Sequence, residues 1–424
     1  MAVVLTIVIF ILGYLAIAFE HPLKLNKAAS ALITGVLCWT VYVVQSPDAE
    51  PATHELLAHL GEIASILFFL LCAMTIVELI DLHSGFDNIT ERIKTRSKSK
   101  LVFIITVITF FLSALLDNLT TAIVMVSLCS KLLREKQDRL WFTGLIVIAA
   151  NAGGAWSPLG DVTTTMLWIG GQITAINIIK QLILPSLAVA IIPAMIVSYR
   201  FRGQVLSQAP ISTSTKVEKR EGTIMLFSGI GLLLFVPAFK AVTHLPPFMG
   251  MLFALGIIWV ITTFLHKGKD ADYAGRFNVA SALQRVDTPS VLFFLGILLA
   301  VAALQAFGVL ADLATFLNSQ LKNDYLIGIT LGIVSAIVDN VPLVAASQGM
   351  YDLSTYPTDH YFWEFLALTT GCGGSALIIG SAAGVAVMGL EDVKFGWYLK
   401  NIGWLALLGL VAGILIFIVQ QQLF

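Results

Sequence analysis

Apolar blocks of similar length recur along the whole chain, and short polar stretches separate them. Clear examples cover residues 2–19, 28–44, 224–241 and 402–419. Each is close to the ~20 residues that an α-helix needs to cross the hydrocarbon core of a bilayer. The pattern predicts an all-α, polytopic membrane protein. Residues 2–19 lack a basic start and a clear cleavage site, so we interpret them as a first span and not as a signal peptide.

The loops between these blocks differ in charge, and this difference predicts the topology. Lysine and arginine are concentrated in 91–100, 131–139 and 200–222. By contrast, 46–62 and 351–364 contain aspartate and glutamate but neither lysine nor arginine. The positive-inside rule places the first three loops in the cytoplasm and the last two outside.

The segment between Lys100 and Lys131 is too short for the two membrane crossings that would bring both of its charged ends to the cytoplasm. It has 30 residues and cytoplasmic charge at both ends. Two crossings would need about 40 residues, and one crossing would end on the wrong side. We therefore predict a re-entrant hairpin at about 101–133, with Asp117 and Asn118 at its turn. Irregular backbone at this depth is tolerated only against protein or a water-filled cavity.

The strongest signal is the similarity of the chain to itself. Ser113-Ala-Leu-Leu-Asp117-Asn118 matches Ser335-Ala-Ile-Val-Asp339-Asn340, 222 residues later. Two further pairs keep the same order at nearly the same separation: Leu67-Phe-Phe-Leu70 with Leu292-Phe-Phe-Leu295, and Gly153-Gly154 with Gly373-Gly374. Ordered matches at nearly one offset indicate an internal duplication.

Each half of this duplication predicts two spans, a third span, a hairpin, an interrupted span and a last span. Because five crossings is an odd number, the second half must lie upside down relative to the first. We predict inverted repeats at 1–205 and 223–424, joined by a cytoplasmic linker at 206–222, with a second hairpin at about 326–350 that enters from outside. Many secondary transporters have this architecture, and their sites lie between the halves.

The interrupted spans are predicted at about 141–169 and about 362–390. The first contains the break Asn151-Ala-Gly-Gly-Ala-Trp-Ser-Pro-Leu-Gly-Asp161, and the second contains Gly371-Cys-Gly-Gly-Ser375 followed by Gly380-Ser381. Glycine and proline weaken the helical hydrogen-bond ladder and free backbone carbonyls. The breaks therefore bring polar atoms to the depth of the hairpin turns.

Composition excludes other classes of protein. Of the 424 residues 58% are apolar and 12% charged, and the mean hydropathy is +0.89, whereas a soluble domain carries roughly 25% charged residues. The net charge of −1 gives no reason to expect a nucleic-acid partner. The four cysteines lie in apolar blocks and predict buried thiols. The seven histidines form no pair at ligand spacing, so we expect neither zinc nor haem, and no cofactor.

The candidate binding residues are the polar side chains of the turns and breaks. They are Asp117, Asn118, Thr120, Thr121, Asn151, Ser157, Asp161, Asp339, Asn340, Ser375 and Ser381. Carboxylate, amide, hydroxyl and carbonyl oxygens are the ligands of a hard cation such as sodium. We predict sodium ligands at Asp117, Asn118, Asn151 and Asp161. No lysine or arginine lies within these turns and breaks, and a buried carboxyl without a cation tends to hold a proton, so sodium and proton would compete.

Structural roles remain open for some of these residues. The three asparagines are also suited to capping the half-helices that follow them. Thr120 and Thr121 are equally suited to bonding back to their own helix.

The turns Asp117-Asn-Leu-Thr-Thr-Ala and Ser335-Ala-Ile-Val-Asp-Asn-Val-Pro resemble those of the NhaD-type sodium/proton antiporters of the ion transporter superfamily. This resemblance covers essentially the whole chain. It implies the two-hairpin inverted-repeat fold, exchange of sodium or lithium for protons, no enzymatic activity, and a bacterial inner membrane, with a plastid envelope as the alternative. Pro342 stands where the first turn has Thr120, so the second turn offers fewer ligands.

Three other functions are alternatives to sodium/proton exchange. An arsenite or organic-anion permease of the same superfamily is the main alternative. The dicarboxylate carriers of that superfamily have neutral Ser-Asn-Thr turns, whereas both turns here begin with aspartate, which would repel a carboxylate. An intramembrane aspartyl protease would need a Tyr-Asp pair inside a span, and the only Tyr-Asp, Tyr351-Asp352, is predicted outside. A channel would carry sodium without proton coupling. The sequence leaves the oligomeric state open, with a homodimer as one candidate.

Overall fold

The computed structural model describes residues 1–18, 20–86, 93, 95–206, 219–337 and 339–423. Within these ranges all regular structure is helical, apart from one isolated bridge between Ser97 and Val205. Seven helical stretches of the described residues are long and apolar enough to cross a membrane. The predicted fold class is confirmed: the chain is an all-α polytopic membrane protein built from two inverted repeats of five spans, each with a hairpin and a broken helix.

The first half of the chain is a series of helices that builds the first repeat. They are α1 (Ala2–Ala18), α2 (Glu20–Leu23), α3 (Lys27–Gln45), α4 (Ala49–Leu82), α5 (Lys98–Ser113), α6 (Asn118–Leu132), α7 (Lys136–Ala155), α8 (Val162–Ile169) and α9 (Ala175–Arg200). The first hairpin is α5 with α6, and the first broken helix is α7 with α8.

The second half repeats this order with extra short helices in its loops. Its helices are α10 (Lys219–Thr243), α11 (Pro247–Leu265), α12 (Ala271–Arg276), α13 (Val279–Arg285), α14 (Thr288–Ala306), α15 (Val309–Leu321), α16 (Asp324–Val334), α17 (Asn340–Met350), α18 (Tyr361–Gly373), α19 (Ala382–Glu391), α20 (Phe395–Tyr398) and α21 (Trp404–Leu423), with a π-helical turn at Leu399–Gly403 between the last two. The second hairpin is α16 with α17, and the second broken helix is α18 with α19.

The hairpin arms are too short to cross a bilayer. Helices α5 and α6 have 16 and 15 residues, and α16 and α17 have 11 each. A crossing needs ~20 residues. The start and the end of each hairpin also lie together: Lys98 of α5 pairs with Asp138, six residues after α6, and the Tyr356 hydroxyl, six residues after α17, donates to Asp324 of α16. Each hairpin therefore returns to the face from which it entered.

Several predicted boundaries were wrong. Helix α7 continues to Ala155 and α18 to Gly373, so each break is shorter than the glycine pattern indicated. The stretch 46–62 is largely helical, because α4 begins at Ala49. With 34 residues, α4 is about 51 Å long and extends beyond the hydrocarbon on the outer side. Of the predicted linker 206–222, residues 207–218 lie outside the described ranges, and 219–222 belong to α10.

Both hairpins pack on the adjacent broken helix in the same way. A Cβ atom at Gly153 would lie 2.2 Å from the Phe110 carbonyl oxygen, and one at Gly373 would lie 2.2 Å from the Gly332 carbonyl oxygen. Real Cβ atoms do not approach so closely, so only glycine allows these backbones to touch. The glycines thus serve close packing, where we had expected them to interrupt the helix.

Matching serines join the same surfaces. The Ser113 hydroxyl donates to the Ala150 carbonyl at 2.6 Å, and the Ser335 hydroxyl donates to the Thr370 carbonyl at 2.7 Å. Each of these serines opens the duplicated hairpin-turn sequence. The repeated contacts fix the depth of each turn against its broken helix.

Ion pairs hold the cytoplasmic side together. Lys98 at the start of α5 pairs with Asp138 of α7 at 2.6 Å, and both side chains are about nine-tenths buried. Arg139 of α7 pairs with Glu391 at the end of α19 at 2.8 Å. Breaking one member of a buried pair strands the other charge, so these contacts tie the first hairpin and both broken helices into one unit.

Candidate functional site

Four helix N-termini converge where the hairpins meet the breaks. Helices α6, α8, α17 and α19 begin there, and their N-cap residues are Asp117, Asp161, Asp339 and Ser381. Each cap side chain accepts a hydrogen bond from a backbone N–H of the first turn. Converging N-termini favour negative charge, since their unpaired N–H groups carry partial positive charge.

Asp161 lies at the centre of this region and is 1% exposed. Its Oδ1 accepts from the backbone N–H and the hydroxyl of Thr163, both at 2.9 Å. Its Oδ2 accepts from Asn118 Nδ2 at 2.8 Å and from Asn340 Nδ2 at 3.3 Å. One carboxylate therefore receives donors from both hairpins and from its own helix.

Asn151 extends the cluster to the second break. It is fully buried in the last two turns of α7, and its Oδ1 accepts from Asn118 at 3.0 Å. Its Nδ2 donates to the hydroxyls of Ser375 at 2.9 Å and Ser381 at 3.0 Å. The two halves thus form one shared polar centre, which we call the central cluster: Asn118, Asn151, Asp161, Asn340, Ser375 and Ser381.

The cluster is asymmetric although the fold is duplicated. The position of Asn151 corresponds to Gly371 in the second half, and the position of Asp161 corresponds to Ser381. A Cβ at Gly371 would lie 3.9 Å from Asp161 Oδ2. The second half therefore supplies neither an amide nor a carboxylate at these two positions, and the carboxylate at the centre comes from one repeat only.

Asp117 lies beside the central cluster and makes no hydrogen bond to it among the described residues. Its Oδ1 accepts from the Thr120 N–H and its Oδ2 accepts from the Thr120 hydroxyl, both at 2.8 Å. Its φ of 91° is rare for a residue with a side chain and costs of order 1–3 kcal/mol. The fold holds this carboxylate in a strained conformation at the tip of the hairpin.

Asp339 faces the opposite side, toward α1 and α3. Its Oδ1 accepts from the Val341 N–H at 3.2 Å, and its own N–H donates to the Tyr14 hydroxyl at 3.0 Å. Lys27, the first residue of α3, interacts electrostatically with it. No pattern in the sequence connects this cation with the hairpin turn, because Lys27 is 312 residues away. The adjacent Asn340, not Asp339, reaches the central cluster.

Besides Asp117 and Asp339, three predicted residues lie outside the central cluster, namely Ser157, Thr121 and Thr120. The Ser157 hydroxyl donates to the Ala114 carbonyl at 2.5 Å and accepts from the Leu159 N–H at 3.3 Å, so it joins the first break to the hairpin turn. The Thr121 hydroxyl is buried and has no hydrogen-bond partner among the described residues. Thr120 bonds to Asp117, which itself lies outside the central cluster.

Thr163 was missed by the sequence analysis. It supplies two donors to Asp161, yet it lies in a run of three threonines that fits an ordinary apolar helix. Its signal was the position two residues after an aspartate that opens a half-helix, which is where an N-cap carboxylate finds its donor.

A small cavity reaches Asp117. It has a volume of about 40 Å³ and lies between the first hairpin and the helices α4, α10, α11 and α14. Leu119, Ser290 and Ala382 line both this cavity and a second one of about 200 Å³, whose wall also includes Glu20, Lys27 and Asp287 at the cytoplasmic ends of their helices. The two cavities therefore adjoin one another on the side of Asp117 that the loop charges predict to be cytoplasmic.

Titratable groups elsewhere form no metal centre in the described residues. No group of three or more histidine, cysteine or acidic side chains is placed to hold an ion, and the four cysteines are free and buried. His83 and His266, which showed no pairing in sequence, meet with their Nε2 atoms 3.2 Å apart. Burial lowers the pKa of His83 to about 4, so this pair is neutral at physiological pH.

Comparison with known proteins places the chain in a family. The family model for citrate transporters (CitMHS) matches residues 7–371. The chain is 46% identical to Sodium/proton antiporter 1 of Arabidopsis thaliana, over 98% of this chain and 72% of that protein. It is 32% identical to the Na(+)/H(+) antiporter NhaD of Vibrio cholerae, over 97% of this chain and 90% of that protein.

A solved structure supports the same assignment at the level of the fold. The YdaH transporter of Alcanivorax borkumensis superposes with a TM-score of 0.54, covering 98% of this chain and 97% of that one at 12% identity. At this identity the likeness concerns the fold alone. From the relatives and the duplicated acidic turns together, the chain belongs to the family of NhaD-type sodium/proton antiporters within the ion transporter superfamily.

Proposed function

We propose that this protein is a secondary active transporter that exchanges sodium, or lithium, for protons. The observation that carries the proposal is the environment of Asp161. A single carboxylate lies between the two repeats, it is 1% exposed, and its surroundings consist of amides and hydroxyls. Such groups bind a hard cation through their oxygens, and the carboxylate is the one member that can also hold a proton.

The two asparagines explain how the same site accepts either ion. Asn118 and Asn340 turn their NH₂ groups toward Asp161, which stabilises the ionised carboxylate when no cation is bound. Rotation of each amide by half a turn presents its oxygen instead. When Asp161 is protonated, a sodium ion binds to its Oδ2 and these oxygens only as the acid gives up its proton to water, so the bound ion replaces the bound proton. Reprotonation reverses the step and releases sodium.

Asp117 is the second carboxylate of the proposed site. It lines the cavity of about 40 Å³, which has room for an ion and roughly one or two waters. We propose that a cation from the cytoplasm reaches Asp117 first and then the central cluster. Asp339 makes no hydrogen bond to the central cluster among the described residues and has Lys27 in its electrostatic surroundings, so we assign it a smaller part in cation binding.

An arsenite or organic-anion permease is the alternative, and the description of the matching family as citrate transporters favours it. A citrate site needs cationic partners for its carboxylates. In the described part of the chain, no lysine or arginine hydrogen bonds to any member of the central cluster. The central group is instead an acid. This charge balance supports a cation as the substrate.

We propose the bacterial inner membrane as the location, by analogy with the Vibrio cholerae relative. The Arabidopsis thaliana relative leaves the plastid envelope as the alternative. Membrane lipid, sodium, lithium and protons are the proposed partners. Fractionation of the source cells, with the protein detected by antibody, decides between the two membranes.

The decisive experiment is sodium-dependent proton flux. Everted vesicles containing the protein are given an acid interior, and sodium, lithium or potassium is added. We expect sodium and lithium to dissipate the proton gradient and potassium to leave it intact, because carboxylate and amide oxygens at short range select the smaller ions. An unchanged gradient across neutral and alkaline pH would refute exchange.

Two further measurements in the same vesicles test the alternatives. Uptake of citrate or arsenite without a sodium response would establish the permease. Sodium flux that proceeds without any movement of protons would establish a channel. Vesicles containing Asp161→Asn serve as the matched control for both.

A further inference from the structure

A separate cavity opens at the outer face, and the proposed exchange does not use it. It has a volume of about 510 Å³ and lies among the outer parts of α4, α8, α14 and α17. We call it the outer vestibule. Helices α8 and α17 both start at the central cluster and run outward, so the vestibule lies directly above the proposed site.

One apolar layer separates the vestibule from the cavity at Asp117. Helix α4 contributes Ile66 to the vestibule and Phe69 to the inner cavity, while α14 contributes Leu298 and Phe294 in the same way. These pairs are three and four residues apart, which is a single helical turn of about 5.4 Å. Phe69 and Phe294 are 1% and 8% exposed. The layer therefore closes the outer side while the inner side reaches Asp117.

The floor of the vestibule is close to the central cluster. Met166 of α8 lines it, five residues after Asp161, and this spacing corresponds to about 7.5 Å along the helix. An ion in the vestibule is therefore one short step from the carboxylate once the apolar layer parts.

The polar wall of the vestibule is made of amides. Gln172, Gln305 and Gln348 line it, and no lysine or arginine does so among the described residues. Gln348 Nε2 lies 3.2 Å from the Met166 carbonyl and 2.9 Å from the Gln172 side chain. The Gln172 amide is better satisfied when it is turned over, with its nitrogen toward the carbonyls of Leu167 and Gly170, so the Gln348 amide beside it is not held in one orientation. No hydrogen bond joins the Gln305 side chain to a described residue, so its oxygen is available to a ligand, and reorientation of the Gln348 amide presents a second oxygen.

The mouth of the vestibule carries an acid. The Glu62 side chain is 79% exposed and lies 3.6 Å from His59, and both residues line the cavity. A carboxylate at the mouth raises the local concentration of cations, and the amides beyond it bind them without a fixed charge. Neutral ligands bind weakly enough for an ion to leave again, as conduction through successive sites requires.

We propose that the outer vestibule is a second sodium site, in which the amide oxygens of Gln305 and Gln348 hold a partly hydrated ion on the external side of the apolar layer. This proposal rests on the sodium/proton exchange proposed above. The site collects sodium from outside, or releases it there, before or after it occupies Asp161. It predicts that the glutamines affect sodium on one face of the membrane only.

The test measures the apparent KM for sodium on each face separately. Right-side-out vesicles report external sodium, and everted vesicles report cytoplasmic sodium, both through sodium-dependent proton flux. For Gln305→Leu and Gln348→Leu we expect the external KM to rise about fivefold, which corresponds to about 1 kcal/mol for one neutral polar contact. The cytoplasmic KM should stay unchanged.

Gln320→Leu is the matched control, because Gln320 is an exposed glutamine of the outer helix α15 and does not line the vestibule. It should leave both KM values unchanged. Gln305→Glu is the complementary variant: it should lower the external KM, and added choline chloride should screen this gain. Thermal unfolding in detergent establishes that each variant is folded.

The outcomes separate this inference from the proposed function. A parent protein without sodium-dependent proton flux refutes exchange itself. A parent that exchanges, together with folded Gln305→Leu and Gln305→Glu variants whose external KM is unchanged, refutes only the vestibule site. Equal changes of KM on both faces would refute it as well, since they would indicate an effect on the central cluster.

Discussion

At the residue scale, the residues that cap the helices are not the residues that contact the central carboxylate, and the turn sequences did not indicate which would do which. The aspartates of the two hairpin turns cap the helices that follow, and the neighbouring asparagines reach Asp161. The sequence leaves open whether the asparagines bind or cap, and it does not single out the aspartates as caps. An N-cap side chain folds back over its own first turn, so the next residue is the one whose side chain can point away from the helix.

The first prediction concerns the charge of Asp117. Asparagine caps a helix as well as aspartate does, so Asp117→Asn should fold like the parent. It cannot exchange a proton and offers no charge to sodium. We expect exchange to fall about 100-fold, which corresponds to about 2.7 kcal/mol and lies within the range for contacts to a charged group. Asp161→Asn should be at least as severe, and Asp117→Glu should retain part of the activity.

The measurement is sodium-dependent proton flux per amount of folded protein. Asp312→Asn, at an exposed position of α15, is the control and should be fully active. If Asp117→Asn and Asp161→Asn both exchange like the parent, the proposed site is misplaced.

The second prediction separates two serines that looked alike in sequence. Ser381 accepts from Asn151 and caps α19, whereas Ser157 bonds to the hairpin turn. Replacement of either serine by alanine should lower the free energy of unfolding by about 1 kcal/mol. Only Ser381→Ala should also raise the KM for sodium. Melting curves and flux titrations of both variants check this, and a raised KM in Ser157→Ala would contradict the assignment.

At the element scale, the hairpins are positioned by backbone contact with the broken helices. The contacts at Gly153 and Gly373 leave no space for a methyl group, and the flanking serines fix the register. A shift of either hairpin by one residue would move an asparagine away from Asp161. Close backbone packing at these two glycines therefore sets the geometry of the central cluster, although neither glycine belongs to it.

The third prediction tests this packing. Gly153→Ala and Gly373→Ala each place a Cβ 2.2 Å from a backbone carbonyl oxygen. Overpacking of this kind costs about 1–3 kcal/mol, so both variants should melt at lower temperature and exchange more slowly. Gly231→Ala is the control, because a Cβ there meets nothing within 4 Å and alanine favours the helix by up to about 1 kcal/mol. Equal melting temperatures for all three would exclude the packing role.

At the scale of the whole molecule, the inverted repeat gives each hairpin its own face of the membrane. The inner side has cavities that lead to Asp117, and the outer side has a vestibule closed by an apolar layer. One fold thereby presents an inner route that leads to Asp117 and an outer route that leads toward Asp161. A binding site that is open to only one side of the membrane at a time prevents sodium and protons from leaking down their gradients.

The fourth prediction tests the topology. All four native cysteines are buried, and they are replaced by serine or alanine as background. Single cysteines at Lys100 and Glu135, exposed at the two ends of the first hairpin, should both react with an impermeant maleimide from the cytoplasm. Cysteines at Asn323 and Asp352, exposed at the ends of the second hairpin, should both react from outside. Labelling of either pair from opposite faces would mean that the segment crosses the membrane.

The sequence by itself determined the class, the duplication and the depth of the polar residues. Loop charge, block length and matching turns are local properties of the sequence. In a membrane protein each of them predicts how deep in the bilayer a residue lies. Burial depth and repeat order could therefore be predicted without coordinates.

Only the tertiary structure decided which polar groups meet. Asn151 and Ser375 are 224 residues apart, and Asn340 and Asp161 are 179 residues apart. A helical pattern gives the height of a side chain but not the partner across a helix interface, because that depends on the rotation and close approach of packed helices. For the same reason the apolar layer and the outer vestibule, which several helices build together, had no signature in the chain.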